Sequence, residues 1–196
     1  MSSLRDRLRG VPQDTRYHPE GDVWTHTRLV RGALDEAMAM FDASPTLRRL
    51  AGSDAVPTAR ERILLRLAAW CHDLGKASAT RVVAGLTLAP GHESARRFNA
   101  ECRQLGPLWK RVWAASSLGD RKGLIYLVTR HMAISDREGL SPRVARSLRG
   151  AEPTLRRRAL LLVAFMIMDR LGCASPTRVA DARLVVEAGE RAGATS

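Results

Sequence analysis

Apolar residues recur at intervals of three and four along most of the chain. After Asp22 they fall at Val23, Trp24, Val30, Leu34, Ala37, Met38 and Phe41, a spacing that predicts an amphipathic helix over 23–43 with Asp22 as its N-cap. Thr58 and Glu61 form a capping-box pattern ahead of Ile63, Leu64, Leu67, Ala68 and Cys71; with Gly75 where a C-terminal glycine belongs, a helix over 59–74 follows. Further helices are predicted over 92–104, 107–117, 121–132 and 142–149, with Pro107 at the first helical position, Asp120 as a cap, and Ser141-Pro142 as cap plus first position. The apolar run Ala159 to Met168 predicts a largely buried helix over 158–172, and an amphipathic segment over 176–190 carries Val179, Leu184 and Val186. Only 81–88 has a strand-like look, and it is too short for a sheet, so it reads as a loop with at most one small hairpin. The expected fold class is all-α and single-domain: an N-terminal segment 1–14, one domain over 15–190, and a small polar tail over 191–196.

With 196 residues, 45% apolar and 27% charged, the chain is long enough to bury a core without disulfides, which excludes fibrous and disordered classes. Its longest apolar run stops at Asp169, well short of the about 20 residues a membrane helix needs, and residues 1–6 carry no apolar signal region. The expectation is a cytoplasmic protein with no membrane partner. Cys71, Cys102 and Cys173 lie in separate segments and read as reduced thiols.

The charge changes the picture more. Thirty-two basic against 20 acidic residues leave a net +12, and 29 of the basic residues are arginines. An excess of this size favours an anionic partner, whether nucleic acid, nucleotide or another phosphorylated compound. The clusters Arg5/Arg7/Arg9, Arg143/Arg146/Arg149 and Arg156/Arg157/Arg158 suit either such a partner or a solvated helix face. No glycine-rich phosphate loop and no G-x-S-x-G elbow occurs, so neither nucleotide binding by such a loop nor serine hydrolysis is supported.

The histidines carry the candidate chemistry. His26, His72, His92 and His131 each fall in a predicted helix or at a helix-loop junction; Asp73 follows His72, and Asp169 ends the apolar run. A carboxylate there must be paired, neutralised or coordinated, because burying it bare costs several kcal/mol. Imidazoles and carboxylates without thiolates suit Mn, Fe, Co, Ni or Mg with open positions rather than a structural zinc. Alone, a His-Asp pair is commonplace and a helical histidine is more often a satisfied interior residue.

The context is more specific. Tyr-His-Pro-Glu-Gly-Asp-Val-Trp-Thr-His-Thr at 17–27, Cys-His-Asp-Leu-Gly-Lys at 71–76, Pro-Gly-His-Glu at 90–93, Arg-His-Met at 130–132 and Met-Asp-Arg at 168–170 together present H…HD…D in order. Over about residues 15–172 the chain resembles the HD-domain superfamily of metal-dependent phosphohydrolases, above all the HD domains attached to some bacterial tRNA nucleotidyltransferases and those fused to ATPase or polynucleotide-kinase modules in RNA repair. The resemblance implies an HD-type helical bundle with His26, His72, Asp73 and Asp169 on a first divalent ion. His92 and His131 match the two extra histidines of those members that hold a second ion, with Asp73 bridging, so one or two divalent ions are expected, and Lys76 matches a residue that meets a substrate phosphate. His18 matches no ligand position and reads as a loop hydrogen-bonder. Arg96 or Arg97 is a candidate for further cationic contacts, and Glu93 for a general acid or for orienting an imidazole. The expected function is hydrolysis of phosphodiesters or phosphomonoesters on nucleotides or RNA or DNA ends, 2′,3′-cyclic phosphates among them, with Asp73 and Lys76 as the catalytic pair and an RNA-processing or repair enzyme as a possible partner. CCA addition is not expected, since no nucleotidyltransferase module accompanies these blocks. The alternative is a metal-stabilised HD-fold RNA-binding or regulatory module without turnover.

Overall fold

Capping chemistry sets most element boundaries in the computed structural model, which describes residues 2–52, 56–135 and 139–194, the side chains at 108 and 135 excepted. Within the segment 1–14, α1 (Leu4–Leu8) opens on a Ser3–Asp6 capping box and buries Leu8. Asp22 caps α2 (Val23–Gly32), accepting from the Thr25 N–H. The helix expected over 23–43 is in fact two: at Ala33 the chain turns, that residue's N–H reaching both Leu29 O and Val30 O, before α3 (Leu34–Asp42). Gly32 is the poorest helix former in the run, and the break falls beside it. α4 (Pro45–Ala51), which periodicity does not announce, starts from a Ser44 cap. The Thr58–Glu61 capping box opens α5 (Ala59–Cys71), which ends at His72, short of residue 74.

Gly75 is not the C-terminal glycine of that helix. It has an ordinary helical φ of −64° at the head of α6 (Lys76–Ala79), and a Cβ there would stand 2.0 Å from the His92 carbonyl oxygen. Its contribution is the space that lets the His92 backbone approach. Residues 81–88 form the small hairpin: β1 (Arg81–Val83) pairs antiparallel with β2 (Leu86–Leu88) around Ala84 and Gly85, both at positive φ, as two-residue hairpin turns require.

α7 (Ala95–Gln104) begins after a Ser94 cap, later than residue 92, and α8 (Pro107–Ala115) has Pro107 in its first turn. α9 (Leu118–Arg130) opens on Ser117; Asp120 closes that capping box from the third position and is not itself the cap. β3 (Ile134–Ser135) pairs antiparallel with β4 (Gly139–Leu140), ahead of α10 (Pro142–Arg149). α11 (Pro153–Leu171) starts before Arg158 because the Glu152 carboxylate accepts from the Thr154 and Leu155 N–H groups. α12 (Arg178–Ala194) runs through most of the expected tail; residues 195 and 196 lie outside the described ones.

The architecture is an all-α, single-domain bundle built around α11. Ala159 through Met168 are buried without exception, so this stretch of the helix has no polar face to offer solvent and must be wrapped. α2, α3, α4, α5, α9, α10 and α12 all pack against it. Among the described residues no helix is long and apolar enough to cross a membrane. Phe165 is fully buried and presents its ring to His72 at 5.5 Å in an edge-on arrangement, so the core supports the site directly. Phe165→Ala is expected to cost about 3–5 kcal/mol of stability, read as a lowered urea midpoint at unchanged m-value. A cost under about 1 kcal/mol would remove α11 from its place as the axis of the core.

Candidate metal centre

Five separate segments bring the titratable residues together. His26 lies in the first turns of α2, His72 and Asp73 directly follow α5, His92 sits in the turn before α7, His131 caps the C-terminus of α9, and Asp169 is in the last turn of α11. His26, His72, Asp73, His92 and His131 are all buried, and the Asp169 side chain is one-fifth exposed, at 19%.

The donor atoms form two adjoining sets that meet at Asp73. On one side, His26 Nε2 lies 3.4 Å from His72 Nε2 and 3.1 Å from Asp169 Oδ1, while His72 Nε2 lies 3.3 Å from Asp169 Oδ1 and 3.4 Å from Asp73 Oδ2. On the other, Asp73 Oδ1 lies 3.2 Å from His92 Nε2 and 3.7 Å from His131 Nε2, and those two nitrogens are 3.3 Å apart. Donors held about 2.1 Å from a common ion in tetrahedral or octahedral order stand about 3.0–3.4 Å from one another, so most of these separations match such an arrangement.

The opposite edge of each ring shows which nitrogen is left to face the centre. His72 Nδ1 bonds Ala69 O at 3.1 Å, His92 Nδ1 bonds Ala89 O at 2.8 Å, and His131 Nδ1 bonds Val128 O at 2.7 Å. A carbonyl oxygen only accepts, so each Nδ1 carries the hydrogen, and in the neutral ring Nε2 is a bare lone pair. His26 Nδ1 is 2.7 Å from Glu20 Oε1. Lone pairs and carboxylate oxygens thus face one another in a buried space, and Asp73 Oδ1 has no hydrogen-bond partner there. Such donor sets, His26, His72 and Asp73 on one side and Asp73, His92 and His131 on the other, are groups that could hold a metal ion.

The charges follow the same geometry. Burial opposes ionisation of Asp73, but Lys76 and His72 outweigh it and hold its carboxyl well below the usual carboxylate range. Burial likewise pushes His72 down, and Asp73 and Asp169 overcome this to raise it to about 9, so without an ion a proton on Nε2 takes the place beside these carboxylates that a cation would fill. His131 is pushed down to about 4 by burial and then by His72, so its ring is neutral at pH 7, as coordination requires. Lys76 Nζ sits 2.7 Å from Asp73 Oδ2 and 2.7 Å from Gln13 Oε1.

A cleft of about 640 Å³ opens onto these residues; Lys76, His92, His131 and Asp169 form its floor, with Arg16, Tyr17 and Arg170 among its walls. Glu93, Arg96 and Arg97 are not in its lining. Arg96 is exposed, Arg97 turns its guanidinium to Ser78 O at 3.4 Å, and Glu93 stands 3.4 Å from His92 Nδ1 with its side chain 37% exposed. Arg96 and Arg97, near His92 along the chain, do not line the cleft, whereas Glu93 stands beside the His92 ring it was a candidate to orient.

Sequence reasoning missed the support beneath His26. Glu20 reaches both His26 and His18, at 3.0 Å to His18 Nδ1, and Cys173 Sγ lies 3.9 Å from His18 Nδ1, so His18, Glu20, His26 and Cys173 form a further donor group. The available signal was Glu20 itself, six residues before His26 in the first block, but pairing them depends on a turn that periodicity does not describe.

No protein-family model matches the chain, and no solved structure matches it. The chain is similar to "Multifunctional CCA protein" of Haemophilus influenzae (strain PittGG), 37% identical over 90 residues, which is 46% of this chain and 17% of that protein. Proteins of the same name match from Pasteurella multocida (strain Pm70), 35% identical over 88 residues, and from Halorhodospira halophila (strain DSM 244 / SL1), 40% identical over 90 residues. The matched part of the chain is 45% and 46% of its length, against 16% of each of those relatives.

Proposed function

We propose that this chain is an HD-superfamily phosphohydrolase that uses divalent metal to cleave phosphate esters on nucleotides or nucleic-acid ends. The observation that carries the reading is the division of Asp73 between two imidazole pairs, Oδ2 toward His26 and His72 and Oδ1 toward His92 and His131. The order of the H…HD…D blocks and the similarity to Multifunctional CCA proteins support the same family. That similarity also favours RNA ends among the phosphorylated substrates.

His26, His72, Asp73 and Asp169 would hold one ion and Asp73, His92 and His131 a second. When bound, divalent ions polarise a phosphoryl oxygen and bring the pKa of a coordinated water toward neutrality. The chain supplies the rest. The Nδ1 contacts fix which nitrogen of each ring faces the centre, and Lys76 places a cation at the cleft floor beside Asp73. Arg16 and Arg170 also line the wall, Arg16 with its guanidinium paired to Asp14 of the same lining, so Lys76 is the cation that reaches the floor.

The test is metal analysis of the purified protein, followed by phosphate release from a panel of 2′,3′-cyclic, 2′- and 3′-phosphorylated nucleotides and RNA ends with Mn, Ni, Co or Mg. Turnover that chelation removes and metal restores is the expected result; a protein that retains metal yet cleaves none of them would be a binding module instead. Lys76→Ala is expected to raise KM about tenfold, a loss of about 1.4 kcal/mol, while leaving metal content unchanged. An unaltered KM would take Lys76 away from the substrate.

A further inference from the structure

A second concave surface lies away from the metal centre, between α7, α8 and the start of α9. Its volume is about 540 Å³, and Trp109 and Trp113 form its base. The two indoles stand one helical turn apart on α8, 6.3 Å between centroids and 25° from parallel. Trp113 rests one side on the buried Phe98, and both tryptophans are only half-buried, which leaves part of each ring to the groove. Arg121 lies over the Trp113 ring at 5.6 Å, held there because its guanidinium donates to the Trp113 and Ala114 carbonyls. Arg103 and Lys110 complete the rim, both exposed, and no acidic side chain is among the described residues of the lining.

We propose that this groove docks single-stranded nucleic acid. With Trp113 stacked beside it under Arg121, the half-buried Trp109 ring offers a flat π face to an unpaired base, and flanking cations take the phosphates, a combination tolerant of sequence because every base has such a face. An acidic peptide would use the cations but leave the rings without flat partners. A duplex presents phosphates but keeps its bases stacked on one another. The net +12 of the chain adds attraction for a polyanion at long range. The groove is a separate site: Arg121 and His131 lie toward opposite ends of α9, about 15 Å apart at 1.5 Å per residue. The proposal therefore does not rest on the hydrolase reading.

The probe is a labelled oligouridylate of about twelve nucleotides without terminal phosphates, titrated in EDTA at about 50 mM salt and followed by anisotropy and by tryptophan quenching. The double variant Arg103→Glu/Lys110→Glu is expected to weaken binding at least tenfold. Arg48→Glu/Arg49→Glu, an equal change of net charge on exposed positions of α4, is expected to weaken it far less, and Asp73→Ala not at all. A duplex of the same length should compete poorly. Equal weakening by the two charge-reversal pairs, equal competition by duplex, or binding without tryptophan quenching would each overturn the proposal. So would no binding at all. Loss of turnover in Asp73→Ala with binding intact separates this site from the metal centre.

Discussion

Asp73→Ala is expected to end metal retention and turnover together while the bundle stays folded. Asp73 turns one carboxylate oxygen to each donor set, and its removal takes an oxygen from each. The helix before it, α5, is held by Leu64, Leu65, Ala68 and Ala69, which pack into the core independently of this carboxylate. The far-ultraviolet spectrum should therefore be unchanged. Activity should fall on the order of a thousandfold or more, the scale on which losing a preorganised electrostatic group acts. A second readout needs no substrate: a ligand that binds only the folded state adds about 2.7 kcal/mol of stability at a hundred times its Kd, so added Mn should raise the Tm of the wild type and not of the variant. Equal turnover by both proteins would end the phosphohydrolase reading.

Gly75→Ala reaches the centre without altering any donor. The new Cβ would meet the backbone of His92 at 2.0 Å from its carbonyl oxygen, 2.9 Å from its carbonyl carbon and 3.1 Å from its Cα. None of those atoms belongs to a side chain that can swing aside, so the turn carrying His92 must move. His92 Nε2 now lies 3.2 Å from Asp73 Oδ1 and 3.3 Å from His131 Nε2, and it would leave both. The expected outcome is the loss of one metal per chain from the two proposed for the wild type, and a turnover loss of about a hundredfold, the cost of an ångström's misplacement. Retention of two metals at full activity would show that the turn has slack that the close approach does not suggest.

The pattern of apolar positions was sufficient for the presence of the long helices, because α5, α9, α10 and α11 each bury a face or a whole surface. It was insufficient where a boundary depends on neighbours across the fold. The break at Ala33 lets α2 lie on α5 while α3 lies on α11, and nothing in the apolar spacing of 23–43 distinguishes that from one continuous helix. α1 and α4 are too short for periodicity to register. At the site, the ordered blocks singled out His26, His72, Asp73, His92, His131 and Asp169, whose side chains the fold brings together. The supporting groups depend on how loops fold back: Glu20 under His26, Gln13 against Lys76, and Gly75 beneath His92. Arg96 and Arg97 show the converse, being close to His92 along the chain and yet turned away from the cleft.

Three of the imidazoles are tied to a carbonyl only three residues back in their own chain, His72 to Ala69, His92 to Ala89 and His131 to Val128. Each ring is therefore oriented by its own turn rather than by a distant partner, and its rotamer freedom is already lost before any ion arrives. An incoming ion then meets little entropic opposition from these side chains. Exchange of one divalent metal for another should consequently leave the backbone where it is, with discrimination between them resting on bond strength and preferred coordination number.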